Sequence, residues 1–539
     1  MLDGLMMDSP LLLKRIARRA RRNFGDRPVL ELRAGTLRER SYADVMDRAA
    51  RLSTALRRLG VGQGDRVGSL AWNTLSHLEA YYGVPCMGAV LHTINFRLRA
   101  ELLEYTITHG GAKVLLVDRD VLDGVSPVLE RIPSLRHIVV LDSRGDHEPR
   151  IGAATVHAYE DLIANAEPLE FEEFDERRAA VLCYTSATTG DPKGVLYSHR
   201  AILLQVLQAS IHGSFGVRES MRLATAVPMF HANGWNLPFS APMQGAALLL
   251  QGDAPDPAAL ADLIRDGHAT HLAAAVTLGA MLRDCAVTDG RVSDLATLEE
   301  LWLGGQAPPP ALTEWYRVHV GASVFQGWGM TETAMITYNR PHRFGPDAEN
   351  DRGVAASRQG YQLPLAEVDI VDESGAFLPW DGKTVGEYVA RGPGVANGYF
   401  GAPERSDHLV HGWLRSGDLG VIDPSGGLRL VDRTKDVIKS GGEWISSVAV
   451  ENHIASHPGV LMCAVVARPD EKWVERPVAW VVAEDPTSPP PVDELRELVG
   501  TRFERWWIPD EFVFVADLPR TGVGKIDKRA LRDQTRREQ

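Results

Sequence analysis

Apolar runs short enough to be strands alternate with segments of helical period along most of this chain. Residues 112–117, 137–141, 180–184 and 222–227 are predominantly apolar, as strands buried on both faces are, and the stretches between them repeat apolar residues at helical spacing. Strand and helix in alternation predict layers of parallel α/β structure. Residues 10–60 read as helical, and 59–71 run from helix through a glycine turn into a strand. Gly60, Gly62 and Gly64 come before that strand. A dinucleotide-binding glycine loop would follow a strand, so a plain turn is predicted. From about 353 to 431 the pattern changes, and short segments such as 367–371 and 386–392 sit between Gly, Pro and Asp, as in a small antiparallel sheet or barrel. A further unit begins at Asp432, with a helix after Ser446, strands at 462–467 and 478–483, and a helix after Pro491. No internal repeat is visible.

Composition narrows the class. A length of 539 residues is room for roughly two to four domains, and 44% apolar with 24% charged residues is the balance of a globular protein. The formal net charge of −13 argues against a nucleic-acid partner. Cys86, Cys183, Cys285 and Cys463 are far apart and form no CxxC, which predicts free thiols in a reducing cytosol. The N-terminus carries acids where a signal peptide needs bases, and no apolar stretch reaches the ~18 residues of a membrane span. A cytoplasmic protein without integral membrane association is expected.

The strongest chemical signal runs from Tyr184 to Val195, Tyr-Thr-Ser-Ala-Thr-Thr-Gly-Asp-Pro-Lys-Gly-Val. A hydrophobic strand feeds a loop of hydroxyl residues, a glycine and a lysine. Hydroxyls and backbone N–H groups can wrap phosphate oxygens, and the lysine adds positive charge. It is no Walker A loop, because GxxxxGK[ST] is absent. Downstream, Asp418 follows a glycine, and a carboxylate there can accept both hydroxyls of a ribose. Glu332 offers the hard oxygen that Mg²⁺ takes alongside phosphate oxygens. Trp328 could stack on a purine. His453 and His457 are spaced i, i+4 on a predicted helix but lack the HExxH pattern, and a solvated or helix-end pair outweighs a zinc site.

In order along the chain, these segments resemble the motifs of the adenylate-forming superfamily, which holds acyl-CoA synthetases, peptide-synthetase adenylation domains and beetle luciferases. The loop 184–195 resembles its phosphate loop, with Thr185, Ser186, Thr188, Thr189, Gly190 and Lys193 around the nucleotide. Ala187 stands where the family usually has glycine; if that position needs positive φ, alanine costs about 1 kcal/mol there. Residues 228–235, Pro-Met-Phe-His-Ala-Asn-Gly-Trp, resemble the aromatic motif beside the acyl pocket, which implies His231, Trp235 and Gly305 as pocket residues and His231 as a catalytic one. Gly304, Gly305 and Gln306 resemble the adenine-side loop. Residues 326–333, Gln-Gly-Trp-Gly-Met-Thr-Glu-Thr, resemble the motif that supplies a stacking aromatic (Trp328), nucleotide contacts (Gly329, Met330, Thr331) and a magnesium-associated glutamate (Glu332). Residues 413–419 resemble the ribose motif with Asp418, and Asp432-Arg-Thr-Lys-Asp436 resembles the hinge, with Arg433 near the nucleotide and Lys435 as pivot. The segment around Ser440, Gly441, Gly442, Glu443 and Trp444 resembles the lining of the coenzyme A channel. Residues 519–527 resemble the terminal loop with the catalytic lysine, Lys525.

The resemblance implies a large N-terminal core (1–431) of parallel α/β layers plus a small β-barrel, a hinge (432–435) and a mobile α+β C-terminal domain (436–539). It implies ligation of a carboxylic acid to coenzyme A with ATP and Mg²⁺, through an acyl-AMP, and relatives are often homodimers. The texture of 228–238 and 438–447 resembles bacterial medium-chain acyl-CoA ligases and 3-methylmercaptopropionate-CoA ligases, so a short- to medium-chain linear acid is expected. Trp235 is expected to set acid length; on a right-handed helix its i, i+4 spacing from His231 would put both rings on one face. A medium- or long-chain fatty acyl-CoA synthetase, a carrier-loading adenylation module and a luciferase-like oxygenase are the competing functions.

Overall fold

The computed structural model describes residues 4–145, 150–185, 191–339, 358–402, 408–441, 443–520 and 526–537. Two sheets organise the first part of the chain. One has eight strands, in the spatial order Gly194–Ser198, Ala179–Tyr184, Val90–Thr93, Arg66–Leu70, Val114–Asp118, His137–Leu141, Ala154–Ala158 and Arg150–Ile151. The other has seven, in the order Ser323–Phe325, Glu300–Gly304, His271–Ala275, Arg222–Thr225, Ala247–Gln251, Pro28–Arg33 and Thr36–Ser41. Within both, pairing is parallel except at the edge strands Gly194–Ser198, Arg150–Ile151 and Thr36–Ser41.

One stretch departs from its helical pattern. Between the helices Lys14–Asn23 and Tyr42–Arg58 the chain forms a hairpin, Pro28–Arg33 with Thr36–Ser41. Its turn residues Ala34 and Gly35 both have positive φ, +48° and +70°, which matches the twist of paired strands. Val29 and Leu30 lie beside Leu248 and Leu249 of the parallel sheet. That long-range pairing decides the local structure. Ser41 then closes the hairpin and caps the next helix, its hydroxyl accepting from Asp44 N at 3.1 Å.

The two sheets face each other across the helix Leu75–Cys86, every residue of which is buried. It has no polar stripe because it has no solvent face. Tyr81 and Tyr82 reach out of it with their hydroxyls, Tyr81 to Met229 O and Tyr82 to Pro238 O at 2.8 Å. A buried phenol needs such an acceptor, and here it fastens the segment 229–238 to the core.

The third sheet is antiparallel, in the order Thr337–Tyr338, Gly360–Gln362, Gly427–Arg433, Trp413–Ile422, Gly386–Arg391, Glu367–Val371, with Leu409–Val410 beside Trp413–Ile422. Among the described residues its end strands do not pair with each other. The last unit has its own sheet, Glu443–Ile445, Ile438–Ser440, Val474–Ala483 and Val460–Asp470 with Glu511–Phe514 parallel to Val474–Ala483, and helices Ser447–Ile454, Val492–Gly500 and Lys528–Arg537. Its core gathers Ile438, Val450, Val465, Val481 and Leu495, all buried. Among the described residues no helix is long and apolar enough to cross a membrane.

Candidate active site

A cavity of about 630 Å³ opens where parallel strands of both sheets end. Its walls come from the residues just after those strands: Thr185 after Ala179–Tyr184, Val227 to His231 after Arg222–Thr225, Val276 and Thr277 after His271–Ala275, Gly305 and Gln306 after Glu300–Gly304. Carboxyl ends of parallel strands are where open α/β sheets bind ligands, because the turns there are free to vary while the sheet fixes their origins. Asp418, Arg433, Thr434 and Lys435 close the opposite side.

The segment 227–238 is clamped before it reaches the cavity. Asn73 donates to Val227 O at 2.8 Å and accepts from Met229 N at 2.8 Å, and Tyr81 and Tyr82 hold the carbonyls named above. Between the clamps, Ala232, Asn233, Gly234, Trp235 and Asn236 all have positive φ, from +45° to +60°. This is a left-handed turn, so the right-handed i, i+4 argument for His231 and Trp235 does not hold. Both side chains still line the cavity, because the left-handed turn swings Trp235 back across it. Each non-glycine residue in that conformation costs roughly 1 kcal/mol, which the buried clamps offset. The Trp235 indole lies against Gly304: a Cβ at 304 would meet ring carbons Cη2 and Cζ2 at 2.8 Å. Its other face runs parallel to Phe215 at a centroid distance of 6.4 Å, and Phe215 stacks on Trp302 at 4.4 Å. Phe215, Trp302, Phe325 and Tyr338 also line this end. They are scattered between residues 215 and 338, and no local pattern announced them.

The polar end is built from paired groups. Thr185 N donates to Lys193 O at 2.9 Å and Lys193 N to Thr185 Oγ1 at 3.1 Å, closing the base of the loop between them. Lys193 Nζ stands 4.7 Å over the Tyr399 ring, whose hydroxyl donates to Glu332 Oε1 at 2.7 Å. Tyr399 was not singled out in the sequence; it lies outside every motif quoted above. Glu332 is buried, and loss of solvent raises its pKa above the usual carboxylate range, opposed by the Tyr399 hydrogen bond and by Lys193. A carboxylate so placed, on the wall of a cavity and beside a phosphate-type loop, fits a divalent cation that would offset the burial. No group of three or more His, Cys, Asp or Glu side chains that could hold a metal ion occurs among the described residues.

Asp418 accepts from Trp328 Nε1 at 2.8 Å and pairs with Arg433 Nε at 3.2 Å. From the sequence, Trp328 is expected to stack on a purine. Its indole is 5% exposed, packs on Tyr388 at 5.2 Å and does not line the cavity, whereas Gly329, Met330 and Thr331 do. The ring lies beneath the cavity wall because its N–H finds a buried acceptor there, and it orients the Asp418 carboxylate. Gly304, Gly305 and Gln306 all line the cavity, and Gly305 has φ +93°, a conformation that favours glycine.

The expected channel residues sit apart from this cavity in the conformation described. Ser440 is buried and accepts from Arg476 Nη1 at 3.1 Å; Gly441, with φ +62°, packs beneath the Trp473 ring; Glu443 and Trp444 are exposed. Lys435 does line the cavity, and burial lowers its pKa. Ser186, Ala187, Thr188, Thr189, Gly190, Gly442 and Lys525 lie outside the described residues. Arg520 and Ile526, on either side of the loop with Lys525, form a β-bridge. His453 Nε2 faces Leu498 O at 2.8 Å and His457 Nδ1 accepts from Gly459 N at 3.0 Å, so these two rings serve helix ends.

Known proteins resemble this chain over nearly its full length. The family described as AMP-binding enzyme matches residues 16–400, and the AMP-binding enzyme C-terminal domain matches 449–525. The chain is 40% identical to the long-chain-fatty-acid–CoA ligase of Thermus thermophilus, over 98% of this chain and 96% of that one. It is 37% identical to the 3-methylmercaptopropionyl-CoA ligase of Ruegeria lacuscaerulensis, over 98% of each. The crystal structure of the anthranilate CoA ligase AuaEII in complex with anthranoyl-AMP superposes with a TM-score of 0.87 at 26% identity, covering 98% of this chain and 99% of that one.

Proposed function

This chain belongs to the AMP-binding enzyme family, and we propose that it joins a short- to medium-chain linear carboxylic acid to coenzyme A through an acyl-adenylate. The observation that carries this reading is that one cavity holds both an aromatic recess (Phe215, Trp235, Trp302) and a polar end (Thr185, Lys193, Glu332, Asp418). A carboxylate is a poor electrophile. In the first half-reaction its oxygen attacks the α-phosphorus of ATP, and pyrophosphate leaves. In the second, the thiol of coenzyme A attacks the carbonyl carbon, and AMP leaves with the C–O electron pair. Asp418 holds the ribose hydroxyls, with Arg433 and Trp328 fixing its carboxylate. Thr185 and Lys193, with Ser186, Thr188, Thr189 and Gly190, hold the phosphates, and Gly304 to Gln306 border the adenine. His231 forms the wall at the reacting carboxylate. Mg²⁺ beside Glu332 would supply charge to the phosphate oxygens.

Lys525 neutralises the developing negative charge in the first half-reaction. For the thiol to reach the same carbonyl it must then withdraw, so the C-terminal unit (436–539) turns on residues 432–435 with Lys435 as pivot, and 440–444 come to line the coenzyme A route. In this reading the enzyme is cytoplasmic and homodimeric. The specific acid we propose is 3-methylmercaptopropionate, which places the enzyme in sulfur metabolism. Relatives with that activity and with long-chain activity align over nearly the full chain, and the close fit of Trp235 on Gly304 favours the shorter acid. Pyrophosphate exchange across a series from acetate to palmitate, with 3-methylmercaptopropionate included, tests this. A maximum at the short linear acids is expected, and a maximum at palmitate would favour the long-chain reading.

A further inference from the structure

No strand pairing among the described residues joins the wall carrying Trp235 to the segment carrying Glu332. A buried side chain does. Gln205 lies on the helix His199–Ala209 and is 8% exposed. Its Oε1 accepts from Asn236 Nδ2 at 2.8 Å, at the end of the left-handed turn that places Trp235. Its Nε2 donates to Gly394 O at 2.8 Å and to Thr333 O at 3.4 Å. Carbonyls can only accept, so the amide has one orientation, nitrogen toward them and oxygen toward Asn236. Thr333 follows Glu332 directly, and Ala396, two residues beyond Gly394, donates its N–H to Glu332 O at 2.7 Å. The approach is close: a Cβ on Gly394 would stand 3.0 Å from Gln205 Cγ and Nε2. The strand Gly194–Ser198 and the same helix grip this segment twice more, Tyr197 donating to Thr331 O and Gln208 Nε2 to Met335 O at 3.4 Å. That strand starts directly after Lys193. Gln205 is not among the residues that line the cavity, but the acyl wall, the Glu332 segment and the element that follows the phosphate loop meet at its amide.

We propose that Gln205 is a positioning residue for acyl-adenylate formation, holding an acid in the recess of Trp235 in register with the phosphates beside Glu332. This rests on the acyl-CoA ligase reading above. In that step a carboxylate oxygen forms a bond to the α-phosphorus while the bond to pyrophosphate breaks, and pyrophosphate leaves with the electron pair. The reacting atoms must be brought to roughly 3–3.5 Å and aligned, and a misplacement of about 1 Å can lower the rate on the order of 10²-fold. The acid is held by one segment and the nucleotide by others, so their separation is set by what joins those segments. An amide suits the junction because it donates at one end and accepts at the other. Methionine, of similar length, offers no donor and only a weak acceptor; glutamate keeps the bond from Asn236 but, ionised, cannot donate to the two carbonyls.

The test compares linked with separate ligands in wild type and Gln205→Met. It measures the Kd of AMP, the KM of the linear acid that the wild type prefers, and the Kd of the corresponding 5′-O-(N-acylsulfamoyl)adenosine, a stable analogue in which acid and nucleotide are joined. The single-turnover rate of acyl-AMP formation at saturating ATP and acid completes the set. In the variant, AMP and the acid should be bound as in wild type, the joined analogue should bind about tenfold or more weaker, and the single-turnover rate should fall by roughly ten- to a hundredfold. Gln205→Glu should show the same split. Asn236→Gly, which tolerates the positive φ at that position, should reproduce it from the other side of the bond. A wild-type rate, an analogue bound as tightly as by wild type, or equal losses for AMP and the analogue overturns the proposal, the last because it marks a general structural role. Should Gln205→Met fail to fold, the other two variants decide by the same readings, and failure of all three to fold would make Gln205 a folding residue and overturn the proposal as well. Wild-type enzyme that forms no acyl-AMP from any linear acid would instead overturn the ligase reading itself.

Discussion

Replacing Trp235 by alanine tests how the recess measures its acid. The indole fills the end of the cavity, with Cη2 and Cζ2 within 2.8 Å of where a Gly304 Cβ would stand and the ring parallel to Phe215. Its removal deepens the recess by at least the length of two methylenes. Each buried methylene contributes about 0.8 kcal/mol, so two are worth about 1.6 kcal/mol, or roughly fifteenfold in kcat/KM. For Trp235→Ala we expect the optimum of kcat/KM, measured on saturated acids from acetate to decanoate, to move toward longer acids, with a gain of that order for acids two carbons beyond the wild-type optimum. Gly304→Ala is the opposite perturbation. Its Cβ drives into the ring, pushes the indole into the recess and should shift the optimum toward shorter acids. A wild type that already turns over long acids well would make Trp235 a gate, with little change for short ones. An unchanged length profile in Trp235→Ala, with only a lower Tm, would refute both roles and leave the indole as core packing.

Asp418→Ala should raise KM for ATP by roughly tenfold or more, with KM for the acid little changed, because hydrogen bonds to a charged group are each worth roughly 1.5–3 kcal/mol; unaltered ATP affinity in a folded variant would remove the ribose role. Lys525→Ala should abolish adenylation yet convert supplied acyl-AMP and coenzyme A to thioester, and equal loss in both half-reactions would contradict the assignment. Glu31 is buried with neither carboxylate oxygen in a side-chain or backbone hydrogen bond of ordinary geometry, and burial, reinforced by Asp142, raises its pKa to about 7. The folded state therefore binds more protons than the unfolded between the usual carboxylate value of 4.5 and about 7, so stability due to this group is full below that window and falls as pH rises through it. Glu31→Gln should be more stable than wild type at pH 8, by up to roughly 3 kcal/mol, with the difference shrinking toward pH 5 in urea titrations; a pH-independent difference would reject the shift.

Most of the layered architecture was legible because buried parallel strands are written as apolar runs: 137–141 has the same bounds in sequence and structure, and 180–184 differs by one residue. The hairpin at Pro28–Arg33 was not, since its stability comes from a pairing with Leu248 and Leu249 more than two hundred residues away in the chain. The polar site was readable as contiguous motifs, and Thr185, Lys193, Glu332 and Asp418 do share one cavity. Three-dimensional detail was lost where a short word in sequence has two conformations. Residues 232–236 can turn either way, and only the clamps from Asn73, Tyr81 and Tyr82 make the left-handed form affordable. Trp328 reads as a stacking ring in sequence, and its hydrogen bond to Asp418, 90 residues further along the chain, is visible only in the fold. Phe215, Trp302 and Tyr399 come from separate strands and loops, and nothing short of the fold brings them together.

The most direct measurement mixes the protein with ATP, Mg²⁺ and a short linear acid, with and without coenzyme A, and follows products by mass spectrometry. Without coenzyme A, acyl-AMP and pyrophosphate should accumulate to the level of enzyme; with it, acyl-CoA, AMP and pyrophosphate should form in equal amounts over many turnovers. Formation of ADP and phosphate, or an acyl-AMP that coenzyme A does not discharge, would contradict adenylate-dependent ligation to coenzyme A.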